Sequence, residues 1–236
     1  MHIFYTPGIG TTATGYILSE EESKHCIRVL RLKTGDQVQL IDGTGGFYTA
    51  VLADEHPKRV ALQILERQLE FGKRSHYLHI AVAPTKNTDR LEWFAEKATE
   101  LGIDEITPLI SDRSERRILK TDRLEKVVVA ASKQSIKAYV PRINPPVPFR
   151  DLLMPAANFA KCIAHCMPGA GKQFLNEVLT VGGSSLVLIG PEGDFTEEEV
   201  QLALQNNFKA ITLGNARLRT ETAALAVCFE ENYLNR

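Results

Sequence analysis

Through the first seventy positions, apolar and polar residues tend to alternate with a period of two, the mark of half-buried strands. Residues 36–42 alternate and stop at Gly43. Residues 47–53 resume after Gly43-Thr44-Gly45-Gly46, so the two segments predict a hairpin. Residues 15–19 form a short extended piece, and residues 59–65 form another after Pro57. Residues 23–30 are the one helical stretch here, with Ser23 in the N-cap position. A small barrel-like β unit is expected.

The period changes after residues 71–75, where a domain boundary is expected. Residues 77–83, 105–110, 159–164, 185–189 and 210–213 read as strands. Between them, residues 89–101, 122–135, 196–206 and 221–233 read as helices. Gly102 closes the first helix, whose Leu91, Phe94, Ala95, Ala98 and Leu101 share one face. Trp93 is read as core rather than as a platform for a base. Thr196 and Glu199 form a capping box at the third helix. Strands alternating with helices predict an α/β domain around a mostly parallel sheet. The chain shows no internal repeat.

Composition narrows the class without naming a function. Hydrophobic residues are 44% and charged residues 24% of 236 positions, which excludes a disordered chain, a collagen-like chain and a heptad rod. No run approaches the roughly 18 apolar residues of a membrane span. The opening residues Met1 to Pro7 lack the basic and apolar regions of a signal peptide, so a cytoplasmic protein is expected. Among four cysteines, Cys162 and Cys166 have a spacing that half a zinc site could use. A second ligand pair is missing, and the apolar flanks read as a buried strand, so no metal is expected. Net charge is −1, yet residues 113–142 carry nine basic against three acidic side chains, a local +6, and residues 190–236 carry −4 from four basic and eight acidic ones. Such asymmetry suits either a nucleic-acid footprint or a solvated helix face.

Two loops carry candidate chemistry. In the first, the apolar run ending at Ile189 meets Gly190-Pro191-Glu192-Gly193 before a capped helix. Ligands of open parallel sheets bind at the carboxyl ends of strands. Gly190 and Gly193 allow close backbone approach, and Pro191 stiffens the turn. Glu192 and Asp194 disfavour phosphate, and the sequence has no Gly-Lys-Ser/Thr or G-x-G-x-x-G signature, so a neutral or cationic ligand fits better. In the second loop, Leu213-Gly214 leads through Leu218-Arg219-Thr220-Glu221-Thr222-Ala223 into the last helix. Thr220 can cap that helix, with Glu221 and Thr222 in its electropositive first turn. Alone this is capping. Two glycine loops on adjacent strand ends would define one pocket.

Gly190-Pro191-Glu192-Gly193 with Phe195-Thr196, Leu213-Gly214, and Leu218 to Ala223 resemble the signature loops of a known family. Thr85 to Trp93 with Lys97-Ala98-Thr99-Glu100-Leu101-Gly102 match its first motif, and His25 to Arg31 with Gly35-Asp36 match its RNA-binding domain. The family is the small-subunit (16S) ribosomal RNA uridine-N3 methyltransferases, of the SPOUT class, and the resemblance covers nearly the whole chain. It implies a PUA-like β-barrel RNA-binding domain over residues 1–72 and an α/β methyltransferase domain with a C-terminal trefoil knot over residues 73–236. It implies S-adenosylmethionine as methyl donor, held by Ile189, Gly190, Pro191, Glu192, Gly193, Leu213, Gly214, Leu218, Arg219, Thr222 and Ala223. It also implies a homodimer acting on 16S rRNA or the small ribosomal subunit. Three departures stand out. Asp194 replaces a usual glycine. Asn215-Ala216-Arg217 replaces a Pro-Arg-Ile-type run. Ser135-Ile136-Lys137-Ala138-Tyr139 replaces a Ser/Cys-Gly-Arg run.

Uracil N3 lies on the Watson–Crick edge, so the target base must be unpaired or flipped out. Arg219 is the candidate cation for the developing uridinate, or a support of the cofactor loop. Glu221 is a candidate base or orienting group. Pinning of the chain is the alternative role for both. Lys24, Arg28, Arg31 and Lys33 in the first domain, with Arg113, Arg116, Arg117, Lys133 and Lys137, are the candidates to hold RNA phosphates. Two competing readings are a non-catalytic RNA-binding ribosome-assembly factor of this fold and a related methyltransferase acting on transfer RNA.

Overall fold

The computed structural model describes residues 1–154, 158–168 and 171–236. Two compact units are formed: Met1–Lys73 with Val129–Val140, and Arg74–Val128 with Pro141–Arg236.

The first unit contains β1 (Ile3–Tyr5), β2 (Gly15–Ile17), α1 (Glu20–Lys24), β3 (Gln37–Ile41), β4 (Phe47–Leu52) and β5 (Ala61–Gln68). Its sheet has the order β1-β3-β4-β5-β2, with β1 parallel to β3 and the other pairs antiparallel. β1 has three residues, too few to show a period, and the sequence pattern does not predict it. The predicted hairpin is β3–β4. Asp42 closes its turn, Oδ1 accepting from the amides of Thr44 at 2.7 Å and Gly46 at 2.8 Å. Alternation in β4 sends Tyr48, Ala50 and Leu52 inward to meet Phe4, Val38, Leu40 and Leu62.

The helix of this unit departs from the sequence reading. It begins at Glu20, and its N-cap is Ser19, whose side chain accepts from the Glu22 amide. Ser23 is fully buried instead, donating to the Leu18 carbonyl and accepting from the Val60 amide at 3.0 Å. It fastens helix to sheet and caps nothing. The helix then widens into a π turn over His25–Val29.

The second unit contains β6 (Tyr77–Val82), α2 (Thr88–Leu101), β7 (Glu105–Ile110), β8 (Arg142–Ile143), β9 (Val147–Pro148), β10 (Phe159–Ala164), β11 (Gln173–Phe174), α4 (Leu175–Val178), β12 (Ser184–Ile189), α5 (Glu197–Gln205), β13 (Lys209–Thr212) and α6 (Thr220–Leu234). Helix α3 (Asp122–Ser135) spans the division between the units. All sheet pairs of this unit are parallel, in the order β11-β13-β10-β12-β6-β7-β8, with β9 on β7. β12 is central and buried from Ser185 onward, as expected of a parallel strand covered on both faces. Helices α2 and α6 pack on each other, and α6 lies on β6 and β12. Val200 and Ala203 of α5, with Phe149 and Leu153 of a 3-10 turn, join Leu186, Leu188 and Ile163 in another cluster.

The helix ends follow local chemistry. Gly102 caps α2 at φ 119°, a left-handed value that suits glycine. Thr196 and Glu199 form the reciprocal capping box of α5. Trp93 corrects the sequence reading: it is 43% exposed. Leu91, Phe94, Ala95 and Ala98 fill the buried stripe of α2, and Trp93 falls on its opposite side at 100° per residue.

Candidate active site

Every loop around the site leaves the carboxyl end of a parallel strand. Gly190 follows β12 and Leu213 follows β13. These strands are not neighbours, contrary to the adjacency inferred from sequence, because β10 is hydrogen-bonded between them. The end of β10, Ala164-His165-Cys166, therefore supplies a third wall. The three loops enclose a cavity of about 690 Å³, a size typical of ligand pockets. Ile189, Gly190, Pro191, Glu192, Gly193, Leu213, Gly214, Leu218, Arg219 and Ala223, all among the residues singled out above, line it. Thr222 and Glu221 do not. Thr222 is exposed, and Glu221 is buried elsewhere.

The first loop is held from several sides. A side-chain carbon on Gly190 would sit 3.1 Å from the Phe195 ring, tighter than ordinary contact, so the buried ring would have to give by a few tenths of an ångström. At Gly193 the nearest atom is Arg113 Cβ at 3.4 Å, ordinary contact, and crowding by the protein does not require glycine there. Arg113 Nη1 donates to the carbonyls of Gly193 at 2.9 Å and Phe195 at 3.2 Å. Glu192 Oε1 accepts from the Lys86 amide at 3.1 Å. The Thr220 hydroxyl donates to the Gly190 carbonyl at 3.1 Å, joining the two glycine loops. This corrects the capping role read from sequence: the N-cap of α6 is Arg219, and Thr220 is already helical.

Charged groups of both signs meet at the cavity: Glu192 and Asp194 against Lys172, Arg217 and Arg219. Asp194 holds a left-handed backbone, φ 62°, and its Oδ2 accepts from the Cys166 amide at 2.8 Å. Lys172 Nζ donates to the His165 carbonyl at 2.8 Å. Burial, aided by the Lys172 charge, pushes the His165 imidazole below its ordinary pKa. Outside the cavity, Glu221 Oε1 lies 3.9 Å from Arg90 Nε, and its Oε2 is buried without a hydrogen-bond partner among the described residues. Sequence reasoning did not bring Ala164, His165, Cys166 and Lys172 to this cavity. The strand-end rule could have found the first three, since the apolar run of β10 ends there.

The family pattern for an RNA methyltransferase domain matches residues 73–229. The chain belongs to the RNA methyltransferase family. The pattern for an RNA methyltransferase PUA domain matches residues 18–65. Ribosomal RNA small subunit methyltransferase E from Rickettsia conorii is 32% identical over 88% of this chain and 85% of its own. A probable rRNA-methyltransferase from Porphyromonas gingivalis, known from a crystal structure, is 36% identical with a TM-score of 0.91, covering 100% of this chain and 98% of that one. The Neisseria gonorrhoeae ribosomal RNA small subunit methyltransferase E, crystallised with S-adenosyl methionine bound, is 30% identical with a TM-score of 0.88, over 100% and 98%.

In this RNA methyltransferase chain the basic residues picked from sequence fall into two groups. Arg28, Arg31 and Lys33 are exposed in the first unit, Arg31 at φ 57°, and Lys24 makes an exposed pair with Glu20. Arg113, Arg116, Arg117 and Lys133 have internal tasks. Arg113 braces the first loop, Arg117 donates to the Asp112 carbonyl at 2.7 Å, and Arg116 donates to the Lys86 carbonyl at 3.0 Å. Lys133 pairs with Glu22 at 2.8 Å and lies over the Phe4 ring. The Lys137 amide donates to the Ser132 carbonyl. Among the described residues no group of three or more His, Cys, Asp or Glu side chains could hold a metal, and no helix is long and apolar enough to cross a membrane.

Proposed function

We propose that the protein transfers the methyl group of S-adenosylmethionine to N3 of a uridine in 16S rRNA of the small ribosomal subunit. The single observation that carries this reading is the cavity shared by the three strand-end loops. Its volume, its acidic residues and its close-approach glycine fit a bent sulfonium donor. The likeness to a small subunit methyltransferase bound to S-adenosyl methionine supports the same donor and RNA. Bound here, S-adenosylmethionine supplies an electrophilic methyl group on a positively charged sulfur.

The residues of this chain have separable roles in the proposal. The two glycine loops and Ala164–Cys166 bind and shape the donor. Arg219, at the cavity wall, stabilises negative charge on the uracil carbonyl oxygens as N3 loses its proton. Glu221, held near Arg90 and outside the cavity, positions the start of α6. Residues 1–72 form the RNA-holding domain and residues 73–236 the catalytic one. Lys24, Arg28, Arg31 and Lys33 grip phosphates, so RNA affinity falls with salt. The fold is completed by a trefoil knot in which the α6 segment threads the loop before it. Two copies associate through α6, where Phe229 and Tyr233 stack in the open. The protein works in the cytoplasm, on free RNA or the assembled subunit.

Calorimetry with S-adenosylmethionine, and mass spectrometry of small-subunit RNA from cells lacking the protein, test the reading. One methylated uridine should disappear and return on complementation. Unchanged RNA, or a donor that does not bind, overturns it.

A further inference from the structure

The peptide group between His165 and Cys166 is gripped at both ends by side chains of opposite charge. Its carbonyl accepts from Lys172 Nζ at 2.8 Å, and its amide donates to Asp194 Oδ2 at 2.8 Å. The other carboxylate oxygen, Oδ1, accepts from the Phe195 amide at 2.8 Å. Asp194 thus bridges the loop after β12 to the loop after β10, two walls of one cavity. It does so at φ 62°, a left-handed value unfavourable for most side chains. A glycine would adopt that backbone freely but could not form the bridge. Strain kept beside a ligand cavity is a pointer to function.

We infer that Asp194 is a positioning residue for the methyl donor: with Lys172, it fixes the His165–Cys166 peptide before the donor arrives. The inference rests on the donor site proposed above. An unheld strand end must be ordered at the moment of binding, and that entropy weakens affinity. A peptide already oriented by two charge-assisted hydrogen bonds carries little such cost. The burden falls on the fold, which keeps a left-handed aspartate.

Three variants separate this role from turn formation: Asp194→Gly, Asp194→Asn and Lys172→Met. Donor affinity is read by calorimetry with S-adenosylmethionine. Order of the peptide is read by hydrogen exchange around Cys166 without donor. Asp194→Gly should melt no lower than the parent yet bind about tenfold more weakly, with faster exchange. Asp194→Asn keeps an acceptor and tolerates left-handed backbone, so it should restore affinity to within about threefold. Lys172→Met frees the same peptide from its carbonyl side and should also speed exchange, which tests the clamp even if Asp194→Gly fails to fold. Parental affinity in Asp194→Gly, or weakened binding with unchanged exchange in both loosening variants, overturns the inference. A parent that binds no donor defeats the site reading instead, while the exchange comparison still decides whether the clamp exists.

Discussion

At the scale of single residues, the glycines and carboxylates of this chain are told apart by what surrounds them. Gly190 and Gly193 look alike in sequence, but only at Gly190 would a side-chain carbon crowd a buried ring. Glu231 illustrates a residue whose chemistry the sequence hides. It is 3% exposed in α6, accepts from the Ser185 hydroxyl at 2.6 Å, and is pushed up to about 7 by burial. A carboxyl raised in the folded state stabilises the fold fully below its unfolded value near 4.5. That contribution is lost as pH rises through about 7. The amount at stake is of order 3 kcal/mol. Glu231→Gln keeps an acceptor for Ser185 and removes the titration. Its melting temperature relative to the parent should therefore be more favourable at pH 8 than at pH 5. Equal differences at both pH values refute this account of the burial.

Individual elements show how much a period can reveal. β7 and β10 match their predicted limits, and α3 does too, because apolar patterning and flanking breakers agree there. The two-residue strands β8, β9 and β11 were beyond reach: a period of two needs more residues than they have. The early helix starts earlier than its sequence suggests, for a different reason. Ser19 and Ser23 are both competent caps by composition, and only the fold decides which one is buried. The close of α3 holds the clearest local conflict. Ile136 adopts φ 56°, while the Lys137 amide reaches back to the Ser132 carbonyl at 3.0 Å in the manner of a Schellman turn. That position suits glycine, and a β-branched residue there is strained by about 1–2 kcal/mol. Ile136 is 39% exposed, so it gives back little by packing. Ile136→Gly should raise the melting temperature by roughly 2–4 °C, measured by calorimetric scanning. A fall instead means that its contacts outweigh the strain.

For the molecule as a whole, the α/β class and the two glycine loops were legible in the sequence, while the order of strands was not. Periodicity locates a strand but carries no information about which neighbour it takes, so the wall from β10 was invisible until β12 and β13 were seen apart. Surface chemistry extends the same lesson to assembly. Phe229 and Tyr233 are 58% and 52% exposed, stacked with centroids 6.1 Å apart. Apolar rings in the open on a helix are what a second copy would cover. Phe229→Glu should therefore convert a dimer to a monomer by light scattering after gel filtration. A variant that stays dimeric removes α6 from the interface, and a monomeric parent removes the dimer. The strand order also sets a timetable. Among the described strands, β11 has only β13 beside it, and β13 follows every other one along the chain. A nascent chain halted before residue 209 would carry two cavity walls and no third, so the capacity to hold a small molecule is acquired only after β13 has been made.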